Sequence, residues 1–454
     1  MAETSVKLTD MRITSAISRV SAPVVASNLL QTAVEWVSLA MIGSLGAEAL
    51  AAVGFGRGVF WWASSALWAV GMAVMALVAR SIGRDEPERA RATLLQALLM
   101  GVILSSVIAL AGALTARRTL PLLGATSDVV ELGVPYLRVM FLSMPFLVNA
   151  YYAIFALRAA GETPTTLLIQ GTAAAIQLVL TAVLVFGFGR LEPLGLLGAG
   201  LAVAISRAYM LVAVLVALLW GRTALRMRLN DFRVRPDWPL ISTIVKVSIP
   251  NAIEYLGADT QRLLLVKIIA ATSAATYAVS AVTVGRQVEE LFGMVGMALS
   301  IAAGTLVGQN LGAGKPEQAE ESAVKTHRIT AALFGAVGLL FILMPGQIMG
   351  LFSQDAQVIQ IGGWYLRMLG LVSPLYAASL VYAGALRGAA DTRSPMKVTL
   401  TCLWVCQLPL AYVLALYTPA GIYGVYASYV LFWTVGGLWL RQRFRRGLWK
   451  QIAL

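Results

Sequence analysis

Apolar residues fall in long blocks along this chain, separated by short polar breaks. Runs of about 20 residues or more have the length a helix needs to cross roughly 30 Å of hydrocarbon. They recur near residues 17 to 43, 50 to 80, 91 to 115, 135 to 158, 164 to 188, 195 to 220, 242 to 270, 276 to 308, 325 to 345, 361 to 387, 395 to 417 and 421 to 441. The pattern predicts an all-α polytopic membrane protein with twelve transmembrane helices.

The blocks repeat. Ala-Leu-Arg-Gly-Ala-Ala-Asp-Thr-Arg-Ser-Pro at Ala385 to Pro395 echoes Ala-Leu-Arg-Ala-Ala-Gly-Glu-Thr-Pro at Ala156 to Pro164, about 229 residues earlier. At the same offset Gly83 to Ala90 matches Gly312 to Ala319, Tyr136-Leu137-Arg138 matches Tyr365-Leu366-Arg367, and Pro145 answers Pro374. With small shifts, Ser21-x-Pro23 aligns with Ser248-x-Pro250, and Gly195-x-x-Gly198 with Gly421-x-x-Gly424. Each copy holds six helices. An even number returns the chain to its starting side, so two six-helix lobes are expected, related by a pseudo-two-fold along the membrane normal, with a cavity between them as the transport site. The expected boundaries are an N-terminal segment 1–16, an N-lobe 17–220, a linker 221–241, a C-lobe 242–441 and a basic tail 442–454.

Composition agrees with the blocks. The chain is 59% hydrophobic and 13% charged, which excludes a soluble globule of this length. A net charge of +13 could suggest nucleic acid, but its placement is a topology signal. Even-numbered loops and both ends hold most of the Lys and Arg: Arg84, Arg89 and Arg91; Arg222, Arg226, Arg228, Arg233 and Arg235; Lys315, Lys325 and Arg328; Arg393 and Lys397; Arg441, Arg443, Arg445, Arg446 and Lys450. Odd-numbered loops hold Arg117, Arg118 and Arg190. By the positive-inside rule both termini are cytoplasmic and no nucleic-acid partner is expected. The first run is long and follows Lys7, Arg12 and Arg19, so no cleavable signal is expected. Cys402 and Cys406, one turn apart in the eleventh run, read as packing residues rather than a disulfide. The single histidine, His327, lies near a cytoplasmic helix entry. With no nucleophile-base pair and no metal cluster in the pattern, neither an enzyme nor a cofactor is expected, and a receptor fits a full duplication less well than a transporter does.

At this point three segments resemble the multidrug and toxic compound extrusion (MATE) transporters. They are Leu157 to Pro164, Leu386 to Thr392 and Leu306-Val-Gly-Gln-Asn-Leu-Gly-Ala-Gly314, in a resemblance covering roughly residues 15 to 440. It implies alternating access in the plasma (inner) membrane and export of organic, often cationic amphipathic, compounds against inflowing protons or sodium ions. A monomer is expected.

An ionisable group at mid-membrane costs about 2.5 to 3.5 kcal/mol, so each one should be paired or functional. Asn28, Gln31, Glu35 and Ser38 share one face of the first helix. Glu35 reads either as a coupling carboxylate or as a fixed counter-ion for Arg57. The sequence departs from its relatives here: a frequent first-helix Asp falls on Ser38, and the fifth-helix Asn and Asp fall on Gln177 and Thr181. The tenth-helix Asp of sodium-coupled members falls on Tyr376, so protons are favoured over sodium.

The seventh run carries Asn251, Glu254, Asp259, Arg262 and Lys267, and the eighth Arg286, Glu289 and Glu290. Glu254 stands four residues after Pro250, a pattern shared with one branch of the family. Asp259 with Arg262, and Arg286 with Glu289 or Glu290, can pair within their helices. Counted over these two runs, acids exceed bases by one, and Glu254 is favoured as the titrating member. The expected coupling set is therefore Glu35, Glu254, Asp259, Glu289 and Glu290, with Arg57, Arg262 and Arg286 as charge partners. The expected substrate contacts are Asn28, Gln31, Ser38, Trp61, Asn149, Tyr152, Gln177, Gln261 and Tyr376; Trp61 could stack an aromatic cation or anchor at the interface. Arg57, Arg138, Arg207, Arg262 and Arg367 within the spans keep open a flippase for lipid-linked precursors, and export of one specific metabolite is a further alternative. Glu162-Thr163 and Asp391-Thr392 read as helix caps.

Overall fold

The computed structural model describes residues 8–189, 192–221, 223–232, 235–272 and 275–452. Lys7, Arg190, Arg222 and Arg233 of the charge pattern lie outside the described residues. The described chain is helical throughout. In order the helices are α1 (Ile13–Gly43), α2 (Ala47–Gly83), α3 (Pro87–Leu122), α4 (Ser127–Leu142), α5 (Met144–Ala159), α6 (Thr163–Phe186), α7 (Gly195–Trp220) and α8 (Trp238–Ala270). There follow α9 (Ala275–Gly312), α10 (Pro316–Leu343), the short α11 (Pro345–Gly350), α12 (Ala356–Gly388), α13 (Arg393–Leu400), α14 (Leu408–Leu416) and α15 (Ile422–Arg445). A π-helical stretch, Thr401–Gln407, joins α13 to α14.

Among the described residues nine helices are long and apolar enough to cross a bilayer, ten when α4 and α5, bent by 41°, count as one broken span. The other two of the twelve expected crossings are α8 and α15. Both are long enough, at 33 and 24 residues. However, α8 carries Lys246, Glu254, Asp259, Arg262 and Lys267, and α15 ends in Arg441, Arg443 and Arg445.

The repeat extends to backbone detail. Pro87 and Pro316 each open a helix at its first turn, where a missing N–H costs nothing. The turn after Leu157-Arg158 uses Gly161 at φ 87°, and its counterpart after Leu386-Arg387 uses Ala390 at φ 63°. Likewise Asp85 at φ 59° answers Gly314 at φ 70°. One copy in each pair thus holds a side chain in the left-handed region that glycine adopts freely. The copies differ at two places. The first breaks its fourth span between α4 and α5 before Pro145, whereas α12 runs unbroken through Pro374. The second inserts the π-helical stretch where α6 is regular.

Two compact units are formed: Ala22–Ser248, and Ile249–Leu454 together with Lys7–Ser21. Both boundaries fall at the repeated Ser-x-Pro, inside α1 and inside α8. Linker residues around Met227 therefore belong to the first unit. The opening turns of α1 pack Ala16, Ile17 and Val20 on Leu299, Ala302 and Leu306 of the second. The apolar window of α2 is 78% buried, and those of α9 and α12 are 72% and 78%, so these helices form the centres of their units.

Small residues allow the close packing of α9 on α12. Gly384 lies against Ser300 and Gly388 against the backbone of Gly304, where a Cβ would have no room. Ser300 Oγ donates to the Leu380 carbonyl at 2.7 Å along the same contact. The tail is fastened as well: Trp449 is 1% exposed and stacks on Phe444, and Lys450 pairs with Glu320 at 2.6 Å. His327 lies well inside α10, facing Tyr382 at 4.9 Å between ring centres, rather than at the helix entry. The two cysteines are free, and Cys402 is buried.

Candidate functional site

The second unit contains a buried polar seam along one face of α8. Glu254, four residues after Pro250, is 4% exposed. Its Oε1 accepts from Arg387 Nη2 at 2.7 Å and from Thr399 Oγ1 at 2.9 Å. Further along the face, Trp404 Nε1 donates to the Gly257 carbonyl at 3.2 Å and Gln261 Nε2 donates to Gln407 Oε1 at 3.3 Å. Trp404 and Gln407 belong to the π-helical stretch, whose wider turns shift side chains relative to a regular helix. One turn before Glu254, Asn251 is 0% exposed, and neither of its polar side-chain atoms has a partner among the described residues. The same holds for Glu254 Oε2. Buried oxygens without donors are expensive, and this site offers two of them one helical turn apart.

Arg387 corrects the charge count. Limited to α8 and α9, that count leaves a surplus acid; in the structure the partner of Glu254 comes from the Leu386-Arg387 motif of α12. Arg286 makes no close ion pair with a described carboxylate, although its charge lies near those of Glu289 and Glu290. Glu289 instead accepts from the Tyr365 hydroxyl, and Glu290 is exposed. Asp259 does pair with Arg262, at 3.6 Å, with the guanidinium half exposed.

The repeat assigns a counterpart in the first unit. Ser27 follows Pro23 as Glu254 follows Pro250, Arg158 answers Arg387, and Gln170 answers Thr399. These three residues also meet: Arg158 Nη2 donates to Gln170 Oε1 at 2.7 Å and to Ser27 Oγ at 3.5 Å. Arg158 is 3% exposed, and its Nε has no partner among the described residues. The architecture is duplicated while the carboxylate is present in only one copy. Gln170→Leu should therefore destabilise the protein by about 2 kcal/mol or more, because among the described residues the buried guanidinium would keep only the long hydrogen bond to Ser27. Thermal unfolding in detergent checks this, with Gln170→Glu expected to restore stability by supplying a counter-charge.

Glu35 does not share this setting. It pairs with Arg57 at 3.0 Å, and the side chains are 41% and 50% exposed. Such a pair contributes under about 1 kcal/mol. Glu35→Gln should leave the unfolding midpoint close to wild type, which thermal unfolding in detergent checks.

On the same face Gln31 accepts from the Tyr151 hydroxyl at 3.1 Å, and Ser38 is buried with no hydrogen-bond partner for its hydroxyl among the described residues. Tyr151 packs on Trp68 at 4.5 Å, Trp68 neighbours Trp61, and Trp61 is 55% exposed. Asn28 and Gln177 are half-buried. Asn149 and Tyr152 belong to the packed interior: Asn149 donates to the Pro145 carbonyl, and the Tyr152 hydroxyl donates to that of Leu67. Tyr376 is also packed, 3.9 Å from Trp433 between ring centres.

The remaining arginines in the spans have varied partners. Arg207 donates to Ser143 and lies over Phe60, Arg138 donates to the Ala113 carbonyl, and Arg367 lies over Trp364. Of the two expected caps, Asp391 accepts from the Ser394 N–H, whereas Glu162 precedes α6 without a side-chain cap bond.

A duplicated bundle of long apolar helices with ionisable groups buried inside it defines a polytopic membrane protein. The MatE family model matches residues 23–183 and 261–413, and the chain belongs to that family of multi-pass transporters of small molecules. A probable multidrug resistance protein NorM of Thermotoga maritima is 28% identical over 418 residues, 91% of this chain and 88% of that protein. An FAD transporter of Shewanella oneidensis is 27% identical over 371 residues, 82% of this chain and 81% of that one. The solved structure of a MOP superfamily transporter from Pyrococcus furiosus superimposes with a TM-score of 0.90 at 23% identity, covering 98% of this chain and 99% of the other.

Proposed function

We propose that this protein is a proton-coupled exporter of amphipathic organic cations, with Glu254 as the carboxylate that takes up and releases the coupling proton. The observation that carries this reading is the Glu254 site: a carboxylate buried in an apolar unit, tied through one oxygen to Arg387 and Thr399, with its other oxygen unspent beside Asn251. Protonation weakens the hold on Arg387, and substrate exchange follows from the resulting shift between two facing states. Both chain ends lie on the cytoplasmic side of the inner membrane, the protein acts as a monomer, and the names of relatives such as the Thermotoga NorM support drug-like substrates. Protons are preferred to sodium because Tyr376, at the position of the sodium-associated acid, packs against Trp433. Purified protein in liposomes should accumulate a cationic dye when a pH gradient is imposed and not when a sodium gradient is imposed. Dye movement driven by neither gradient overturns the antiport reading.

A second reading takes its support from the buried Arg158 and the half-buried Arg207, cations whose hydrogen-bond partners are neutral. An exporter of an anionic metabolite or a phosphate-bearing lipid precursor would use such charges, and one relative is named for FAD. Competition of dye transport by flavin nucleotides would favour it.

A further inference from the structure

At the end of α7 the chain forms a cavity of about 430 Å³ whose lining includes Arg91, Trp220, Arg226, Arg228 and Leu229. Its shape follows from how the linker is fastened. Met227 N–H donates to the Leu218 carbonyl at 2.8 Å, folding the chain back on the end of α7, and Gln96 of α3 holds the Arg235 carbonyl at 2.8 Å. Leu225 and Met227 are buried at 0% and 1%, while Arg226 and Arg228 alternate with them and are exposed. Arg91, from the first turns of α3, supplies a third guanidinium.

None of the three arginines makes an ion pair with a described carboxylate, and Arg91 Nε has no partner among the described residues. The nearby Asp231 carboxylate accepts from the backbone N–H of Arg228. Like charges held around one cavity repel unless an anion joins them. The flanks are apolar: Trp220 and Leu229 are each 70% exposed, and Trp220 ends a 26-residue span, where an indole ring marks the membrane interface.

The second unit handles the repeat-related place differently. Glu320 occupies the position that answers Arg91, and it is neutralised by Lys450 of the chain's own tail at 2.6 Å. Trp449 beside it is buried, whereas Trp220 is not. One copy is therefore closed from within, and the other has the opposite charge at that position and an open cavity.

We propose that this cavity binds the phosphate headgroup of an anionic phospholipid, with Arg91, Arg226 and Arg228 on the phosphate oxygens and Trp220 and Leu229 against the glycerol and upper acyl chain. Guanidinium forks match phosphate oxygens in pairs, and the exposed indole suits a lipid better than a soluble phosphate. The proposal draws on the transporter reading only for the leaflet, which is the cytoplasmic one.

The test measures lipid retained by the full-length protein purified from bilayers of phosphatidylcholine with a minor fraction of phosphatidylglycerol, read by native mass spectrometry. Wild type should keep phosphatidylglycerol selectively, and R91Q/R226Q/R228Q should keep about tenfold less or lower still. A control with the same charge loss in the tail region, R441Q/R445Q/R446Q, should retain it as wild type does. Equal loss in both variants would mean bulk charge attraction and overturn the site, as would unchanged retention in the first. Displacement of the lipid by inorganic phosphate alone would assign the cavity to a soluble anion and overturn the lipid. Arg226→Gln, an exposed change outside the helices, gives the same comparison should the triple variant fail to fold. Retention is read without transport, so failure here and failure of the exporter reading are separate results.

Discussion

Glu254→Gln should reduce gradient-driven dye accumulation in proteoliposomes by roughly a hundredfold, the upper range of coupling between linked sites. The amide keeps the shape of the side chain and can still accept from Arg387 and Thr399, but it cannot bind or release a proton. It also leaves the Arg387 guanidinium, whose side chain is 12% exposed, without a counter-charge. Breaking a buried pair from one side costs about 3 to 5 kcal/mol, so the single variant should also unfold at a lower temperature. These two effects need separating. Glu254→Gln with Arg387→Gln removes both charges together and should recover most of the stability, because the lone buried cation is gone. If Glu254 is only a strut, transport returns with stability.

The second large effect lies in the packing of α9 on α12. Gly388→Leu places a side chain where the Gly304 backbone already lies, and backbone cannot swing aside as a flexible side chain does. Overpacking commonly costs about 1 to 3 kcal/mol, and a contact with backbone belongs at or above the top of that range. Loss of a monodisperse peak in size-exclusion chromatography, or a lower thermal midpoint, would report it. Gly335→Ala on α10 is the matched control: nothing stands within 4 Å of its added methyl group. Helix propensity should make that change neutral or stabilising by up to about 1 kcal/mol.

The helices and their duplication were legible because both depend on local pattern. Each apolar run falls on a described helix or on one broken helix, although α3 ends later and α4 and α10 begin well earlier than their runs and the short α11 has none of its own, and the 229-residue offset even anticipates the turn shared by Gly161 and Ala390. The break between α4 and α5 was not legible, since Pro145 and Pro374 occupy matching positions and only one interrupts its helix. Glu254 could be found from its spacing after Pro250. Its partner was missed, because Arg387 sits at a helix end and reads as architecture, and charges were balanced only within neighbouring runs. Partners on distant helices leave no trace in periodicity. The signal that could have found them was the repeat itself. The repeat pairs Arg158 with Arg387 and Gln170 with Thr399 at the 229-residue offset, and Ser27 with Glu254 at the slightly shorter offset set by Pro23 and Pro250, which marks all three as matched positions before any coordinates are seen.

Whether Glu254 carries the coupling proton is tested most directly by dye flux in liposomes containing the E254Q/R387Q protein, with and without an imposed pH gradient. The account predicts a folded protein that exchanges dye down its own gradient yet builds no accumulation when the pH gradient is applied. Accumulation equal to that of wild type would contradict it.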